Sequence, residues 1–326
     1  MKRRDFIALV GGAGAWPFAT RAQPPDRPLR IGVLMNLAGD DPEAQSRLAV
    51  FTRTLDRLGW TSGRNIYIDY RSVAGEADRM QALAAELIEL APDVLLGTGS
   101  RVTLALQHAT RSIPIVFVLV ADPIFAGFVT SLARPNANIT GFSNFRFVMG
   151  GKLMGALKAC APNLNRALVI ADRTSPSWNP YFRAIEAASF GVRLIPGGVS
   201  DAGEIERAIS FVIQEPNGGL IVIPSNATIA NHELIIALAA RHRLPAIYAS
   251  RFFAAHGGLL AYGVDVPDLY RGAASYVDQI LKGTTPADLP VQLPNKFDFT
   301  VNLKTAKALG LEITPTLLAE ADEVIE

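Results

Sequence analysis

The sequence predicts an α/β protein made of two Rossmann-like lobes, each a parallel β-sheet with helices on both faces. From residue 29 onward, short runs rich in β-branched residues alternate with longer helical patterns, which is typical of right-handed βαβ units. A first series of such units ends near residue 141 and a second begins near residue 149. The chain has 326 residues, about twice the usual size of one domain, which also favours two lobes.

The first series begins with the continuous apolar run at residues 29–35, the kind of strand that is buried on both faces of a parallel sheet. Asp41 and Pro42 then predict the start of a helix, as its N-cap and first residue. We expect this helix to bury one apolar face, formed by Leu48, Phe51, Leu55 and Leu58. Further strands are predicted at residues 65–70, 94–96, 113–120 and 139–141, and further helices at about 77–90 and after Ser100.

The second series repeats the pattern and leaves a C-terminal remainder. A helix is predicted at about 149–159, strands at 166–172, 192–195, 220–223 and 246–249, and a helix at 266–281. Residues 297–302 alternate like an edge or half-buried strand, 304–309 are helical, and a short helix follows Pro315. This remainder is explained if the chain crosses between the lobes three times, near residues 142–148, 262–266 and 289–293. The predicted lobes are then 23–143 plus 265–290, and 144–264 plus 291–326.

Residues 1–22 have the pattern of a cleaved signal peptide. A basic start is followed by an apolar run that is too short to cross a bilayer as a helix of about 20 residues, and Thr20 and Ala22 are the small residues that a signal peptidase reads. The order Arg3-Arg4-Asp5-Phe6-Ile7 resembles a twin-arginine export signal, and a Sec signal is the alternative. We therefore expect a periplasmic protein that is soluble after cleavage and not embedded in the membrane.

Composition and motifs exclude several classes of function. The formal charge of +1 predicts no binding to nucleic acid, and Cys160, the single cysteine, cannot form an internal disulfide. The histidines are too scattered to predict a metal site, and the turn after the first strand lacks the Gly-x-Gly-x-x-Gly pattern of dinucleotide-binding proteins. His256-Gly257-Gly258 is similar to an esterase oxyanion loop, but no Gly-x-Ser-x-Gly elbow accompanies it. We predict a protein without cofactor, metal or enzymatic activity.

The candidate site lies in the loops after the strands, since ligands of open α/β sheets bind at the carboxyl ends of the strands. Thr98, Gly99 and Ser100 are expected to hold a carboxylate at a helix start, with Ser100 as N-cap, although a glycine turn before a capped helix is the plain alternative. Asp122 and Asp172 are candidates for an ammonium group, and Asp172 could equally be an N-cap. Aromatic side chains would pack on an apolar part of the ligand. The full predicted set is Asn36, Thr98, Gly99, Ser100, Asp122, Phe142, Asn144, Asp172, Ser225, Arg251, Phe252 and Tyr262.

Several stretches resemble the ABC transporter substrate-binding protein family that includes the tryptophan- and tyrosine-binding, TrpX-like proteins. They are the leader, residues 115–123 through 132–135 and 138–141, and residues 239–246, 262–265 and 302–311. The resemblance implies a type 1 periplasmic binding protein, in which two lobes joined by a three-stranded hinge close on a solute. Asn136-Ala137-Asn138 departs from the glycines of many relatives and says nothing about the ligand.

These observations predict an exported receptor that delivers a small molecule to an ABC permease and its ATPase. The expected ligand is an amino acid, aromatic or not, or another small carboxylate, and the expected state is a monomer. Two alternatives stay open: an exported α/β hydrolase, and a ligand-sensing receptor for a membrane kinase. Genes for a permease and an ATPase beside this one would favour transport.

Overall fold

A computed structural model of the protein describes residues 27–73, 79–135, 137–176 and 178–326. The predicted signal peptide, residues 1–22, lies outside the described residues. The described chain forms two sheets, and we name the part around the five-stranded sheet the N-terminal lobe and the part around the seven-stranded sheet the C-terminal lobe.

The N-terminal sheet has the strand order β2-β1-β3-β4-β5, and all its neighbouring strands are parallel. Its elements are β1 (Leu29–Met35), α1 (Pro42–Arg57), β2 (Ile66–Ser72), α2 (Met80–Glu89), β3 (Val94–Thr98), α3 (Ser100–Ala109), β4 (Ile115–Val120) and β5 (Ile139–Ser143). The C-terminal lobe follows with α4 (Val148–Cys160), β6 (Arg166–Ala171), α5 (Trp178–Glu186), β7 (Arg193–Gly198), α6 (Ala202–Val212), β8 (Gly218–Val222), α7 (Asn226–Ala230), α8 (His232–Arg241), β9 (Ala246–Tyr248), α9 (Arg251–Ala255) and β10 (Leu260–Val264). The last elements are α10 (Val266–Leu281), a 3-10 turn (Pro286–Asp288), β11 (Phe297–Asn302), α11 (Leu303–Leu309), α12 (Pro315–Ala319) and β12 (Glu323–Ile325).

The N-terminal sheet is buried on both faces because helices cover both sides. Ile31 and Val33 of β1 pack into the core beneath α1 and α10, whereas Leu34 faces the core beneath α2 and α3. Strands buried in this way carry no polar alternation, as the apolar run at β1 predicts.

Helix α1 begins as the sequence predicts, and its buried face is only partly the predicted one. The Asp41 carboxylate accepts hydrogen bonds from two backbone N–H groups of the first turn, and Pro42 is the first helical residue. Phe51 and Leu55 are buried, but Leu58 follows the last helical turn and is 37% exposed. Arg47 takes a place on the buried face instead.

Three segments connect the lobes. The first follows β5, the second leads from β10 into α10, and the third leads from Gln292 to β11. Gln292 lies beside β5: its backbone N–H donates to the Gly141 carbonyl at 2.9 Å, and its carbonyl accepts from the Ser143 N–H at 2.8 Å. The second segment follows β10 and the third precedes β11, and these two strands pair antiparallel.

The C-terminal sheet has the order β12-β11-β10-β9-β8-β6-β7. The strand predicted at residues 297–302 is β11. Of its two predicted alternatives the edge position is wrong, because β11 lies between β10 and β12, whereas its first two residues are half-buried. Strand β12, which is only three residues long, is not among the predicted strands. Helix α10 belongs to the N-terminal lobe: it packs along α1 and β4, and Asp278 accepts a hydrogen bond from the Trp60 indole at 2.8 Å.

Candidate ligand-binding cleft

A cavity of about 60 Å³, here called the central cavity, lies between the lobes where the carboxyl ends of the two sheets meet. Its polar lining comes from Asn36, Arg47 and the Gly99–Ser100 turn of the N-terminal lobe and from Asn144, Ser225 and Asn226 on the opposite side. Five of these residues (Asn36, Gly99, Ser100, Asn144 and Ser225) belong to the set predicted from the sequence.

Four buried polar atoms in this lining have no hydrogen-bond partner among the described residues. They are Asn36 Oδ1, Arg47 Nη1, Asn144 Oδ1 and Asn226 Nδ2. Leaving a buried donor or acceptor unsatisfied costs about 1–3 kcal/mol, more for a charged group, and native structures rarely tolerate it. Two donors and two acceptors thus lie in the lining of one cavity without a partner among the described residues.

Arg47 is one of two arginines that line the central cavity, and the other, Arg101, is paired with Asp172. The Arg47 side chain is 5% exposed, its Nε donates to Glu43 Oε1 at 2.9 Å, and its Nη1 is buried without a partner among the described residues. The Tyr270 hydroxyl lies nearby. Burial raises the pKa of this phenol, while the Arg47 charge and hydrogen bonds with Thr98 and Arg47 oppose the rise. A buried guanidinium of this kind suits a carboxylate, which it can bind through two parallel hydrogen bonds.

The turn between β3 and α3 depends on Gly99. This residue has φ +86°, a left-handed conformation that glycine adopts without strain. Gly99 is the N-cap of α3 and Ser100 is its first residue, so the prediction of Ser100 as N-cap is wrong by one position. Thr98 does not face the cavity, because its hydroxyl is fully buried against the Tyr270 hydroxyl at 2.8 Å.

On the opposite wall, Ser225 and Asn226 begin helix α7. Ser225 and Thr228 form a capping box, in which each side chain receives a backbone N–H of the other. The Ser225 hydroxyl also accepts a hydrogen bond from the Asp172 N–H at 3.1 Å. These bonds fix the start of α7, and they leave the Asn226 amide at the cavity wall.

An ion pair between the lobes bounds the central cavity on one side. Arg101 Nη1 lies 2.9 Å from Asp172 Oδ2, and the Asp172 side chain is 3% exposed. Asp172 also accepts hydrogen bonds from the Thr174 N–H and hydroxyl. Asp172 is therefore already paired, and the predicted role as an ammonium partner does not fit its surroundings. Arg101 lines both the central cavity and an outer pocket of about 480 Å³, which Asp172 also lines.

Two more of the predicted residues lie on the other flank of the cleft. Arg251 and Phe252 line a pocket of about 280 Å³ that shares Arg47 with the central cavity. The Arg251 guanidinium binds the Glu323 carboxylate through two contacts of 2.6 Å, a pairing that raises the arginine pKa. It therefore shapes the flank of the cleft and is not free for a ligand in the central cavity.

The remaining three predicted residues are placed elsewhere. The Asp122 carboxylate accepts hydrogen bonds from two backbone N–H groups of its own loop, at 3.1 and 3.0 Å. The Phe142 ring packs on Tyr276 in the N-terminal core, with ring centroids 4.8 Å apart. Tyr262 stacks on Phe297 at 5.7 Å, on the face of the C-terminal sheet that α4 covers. These three expectations are corrected: the side chains point into packing or turn contacts and do not line the cleft.

The described ranges contain no cluster of three His, Cys, Asp or Glu side chains that could hold a metal ion. Nor does any described helix combine the length and apolar character needed to cross a membrane.

Two lobes, three connecting segments and a polar cavity at the strand ends are the architecture of a substrate-binding protein. The chain belongs to the family described as ABC transporter substrate binding protein, whose profile matches residues 31–325. This family comprises extracytoplasmic substrate-binding receptors and not enzymes, which rules out the hydrolase alternative. The predicted resemblance and fold class are thereby confirmed.

Among curated proteins, a tyrosine-binding protein of Clostridioides difficile (strain R20291) is 23% identical over 265 residues, which cover 80% of this chain and 76% of that protein. The ABC domain from Streptococcus pneumonia in complex with L-Trp has a TM-score of 0.85 at 22% identity, covering 91% of this chain and 100% of that one. The ligand-free, open structure of a substrate-binding protein with adhesive properties from Clostridium difficile has a TM-score of 0.67 at 24% identity, covering 91% and 99%. These likenesses establish the fold.

Proposed function

We propose that the protein is the receptor of an ABC importer and that it binds an amino acid or another small carboxylate in the central cavity. The observation that carries this proposal is the buried Arg47, whose Nη1 lacks a partner among the described residues and which lines the same cavity as Asn36 and Asn144, whose amide oxygens also lack one. Under this proposal, residues 1–22 are a signal peptide that is removed on export, and the mature chain is a periplasmic monomer. Its partners are a permease and the ATPase that drives it.

The polar groups of the cavity match the two ends of an amino acid. The ligand carboxylate would bind Arg47 Nη1 and the Asn226 amide N–H, both of which are donors. The ligand ammonium would bind the amide oxygens of Asn36 and Asn144, which are acceptors. A carboxylate without an ammonium group would satisfy only the first pair and should bind more weakly.

The proposed lobes are residues 23–143 plus 265–290, and 144–264 plus 291–326. Ligand groups that bridge the two sides favour the closed arrangement, since a ligand shifts an equilibrium by its difference in affinity for the two states. The Arg101–Asp172 ion pair would add to the stability of that closed state. A permease that recognises the surface of the closed state would then bind only the receptor that carries a ligand.

Matched ligands test the carboxylate assignment. The chain from Gln23 onward, unfolded and refolded to remove any retained molecule, would be titrated calorimetrically with alanine, propionate, alaninamide and glucose. We expect alanine to bind most tightly, propionate more weakly, and alaninamide and glucose not at all. Binding of alaninamide as tight as that of alanine would remove the carboxylate from the proposal, and binding of glucose alone would overturn the ligand class.

Transport can be tested separately in cells. Deleting the gene should abolish high-affinity uptake of the ligand found by titration, and expression of the full chain should restore it. Unchanged uptake in the deletion strain would contradict the importer role without affecting the binding result.

A further inference from the structure

We propose that Leu119 sets the size of the ligand, and that the central cavity selects a compact aliphatic amino acid, up to about the size of valine, over an aromatic one. This inference rests on the proposed function and names the substrate class of the same site.

The first argument is volume. The central cavity measures about 60 Å³, whereas a cavity engineered in another protein that takes up benzene measures about 150 Å³. Drug-sized ligands occupy pockets of about 300 Å³ or more. With the lobes placed as they are here, an aromatic side chain would have to force them apart, while a short aliphatic chain requires only a small adjustment.

The second argument is the chemistry of the apolar wall. The larger apolar side chains that line the cavity are Leu119, Ile229, Val264 and Val266, and none of the described lining residues is aromatic. Aromatic ligands gain attraction from ring-on-ring contacts with the protein, and this lining offers none. Branched aliphatic walls instead fit the methyl groups of a small aliphatic side chain through dispersion contacts.

The third argument is the backbone of Leu119. This residue has φ +60°, a left-handed conformation that is a genuine outlier for a bulky side chain. It lies where the β4–β5 register shifts, between Val118 and Val120. Such irregularities re-aim a side chain, and here the half-buried leucine lines the cavity. A strained backbone conformation persists only where the surrounding structure enforces it, and such residues are common at sites that grip a ligand.

The cavity lies between two flanking pockets. Arg101, which is paired with Asp172, lines both the cavity and the 480 Å³ pocket. Arg47, which is held by Glu43, lines both the cavity and the 280 Å³ pocket. A ligand that extended from the cavity into either pocket would therefore pass one of these two arginines.

Two variants of Leu119 test the proposal. Leu119→Ala keeps a side chain at the left-handed position and removes most of its volume, whereas Leu119→Gly also removes the backbone strain. Calorimetric titration would compare glycine, alanine, valine, phenylalanine, tyrosine and tryptophan on the refolded wild-type chain and on both variants. Leu104→Ala is the matched control, because Leu104 is a half-buried leucine of the same lobe that does not line the cavity. Melting temperatures would confirm that each variant is folded.

We expect the wild type to bind alanine or valine at least tenfold more tightly than any aromatic amino acid. Both Leu119 variants should reduce that ratio at least tenfold by improving affinity for the larger ligands, while Leu104→Ala should leave it unchanged. Wild-type affinity for tyrosine or tryptophan equal to or greater than that for valine would overturn the size selection and leave the proposed function standing. An unchanged preference in both folded Leu119 variants would remove Leu119 from the role. If no amino acid in the panel binds but propionate does, this inference fails and the proposed function stands for another small carboxylate; if propionate does not bind either, both fail.

Discussion

Arg101 and Asp172 form an ion pair of 2.9 Å that joins the second residue of α3 in the N-terminal lobe to the end of β6 in the C-terminal lobe. The carboxylate is almost fully buried and the guanidinium is one-third exposed. The pair can exist only while the lobes are close together. The pair therefore stabilises the closed arrangement through a contact between two protein side chains, without a ligand atom.

Replacing Arg101 by alanine should weaken ligand binding about tenfold. The closed state loses a partner of a buried carboxylate, whereas the open state loses nothing, so closure becomes less favourable by roughly 1–2 kcal/mol. Calorimetric affinity and the radius of gyration from X-ray scattering, with and without ligand, measure the two effects. The ligand-free variant should be more expanded than the ligand-free wild type.

Arg173→Ala is the control for this prediction. Arg173 pairs with Glu204 at 3.0 Å, but both residues belong to the C-terminal lobe and the arginine is exposed. Removing an exposed pair within one lobe should change neither affinity nor dimensions. If Arg101→Ala also leaves both unchanged, the ion pair does not contribute to closure.

Replacing Arg47 by methionine should weaken the binding of a carboxylate ligand about a hundredfold. Methionine retains the apolar stem of the side chain but removes the charge, and truncating one partner of a buried, hydrogen-bonded charge pair costs about 2–5 kcal/mol. Arg53→Ala on the same helix is the control, because Arg53 is exposed and donates to the Ala49 carbonyl of its own helix. Full affinity in the folded Arg47→Met protein would show that the carboxylate binds elsewhere.

Thr98 should contribute to stability and not to binding. Its hydroxyl and that of Tyr270 are 2.8 Å apart in the core of the N-terminal lobe, so Thr98→Val leaves the phenol with one partner fewer. We expect a loss of about 1 kcal/mol in the free energy of unfolding, measured by urea denaturation, and an unchanged ligand affinity. The opposite result, weaker binding at unchanged stability, would return Thr98 to the binding site.

The sequence predicts the loops of the site better than the direction of individual side chains. Parallel strands end at one edge of a sheet, so residues that follow strands, such as Asn36 and Asn144, are brought together by topology alone. Phe142 and Tyr262 lie within strands whose two faces are both covered by helices. Since such strands lack polar alternation, no pattern indicates which face a given side chain takes.

The position of Arg47 on the buried face of α1 can be deduced from the sequence, although Arg47 is not in the predicted set. It lies on the buried face of α1 together with Ala44, Phe51 and Leu55, at helical spacing. A cation among apolar residues on such a face is rarely buried without a partner. The aliphatic spacing predicts Leu58 on this face instead, but the helix ends at Arg57 and Leu58 is exposed.

Asp298 should destabilise the protein at neutral pH. Burial raises the pKa of its carboxyl, and the negative charges of Asp265 and Asp322 raise it further, against the opposing effect of Arg251. Below the unfolded-state pKa of about 3.9, the carboxyl is protonated in the folded and the unfolded protein and does not reduce stability. As the pH rises through the folded-state pKa, the buried carboxyl must ionise, and the free energy of unfolding falls. Asp298→Asn should therefore raise the melting temperature by about 2 °C at pH 7, and this gain should shrink to nothing as the pH falls toward 3.

Melting temperatures of the wild type and the variant, recorded from pH 3 to pH 8, measure this dependence. Asp56→Asn is the control for exchanging a carboxylate for an amide, because Asp56 lies exposed on α1. A gain from Asp298→Asn that is equal at all pH values would point to packing or hydrogen bonding of the amide. A loss at pH 7 would mean that attraction to Arg251 outweighs burial and the two neighbouring carboxylates, so that the ionised form is the stabilising one.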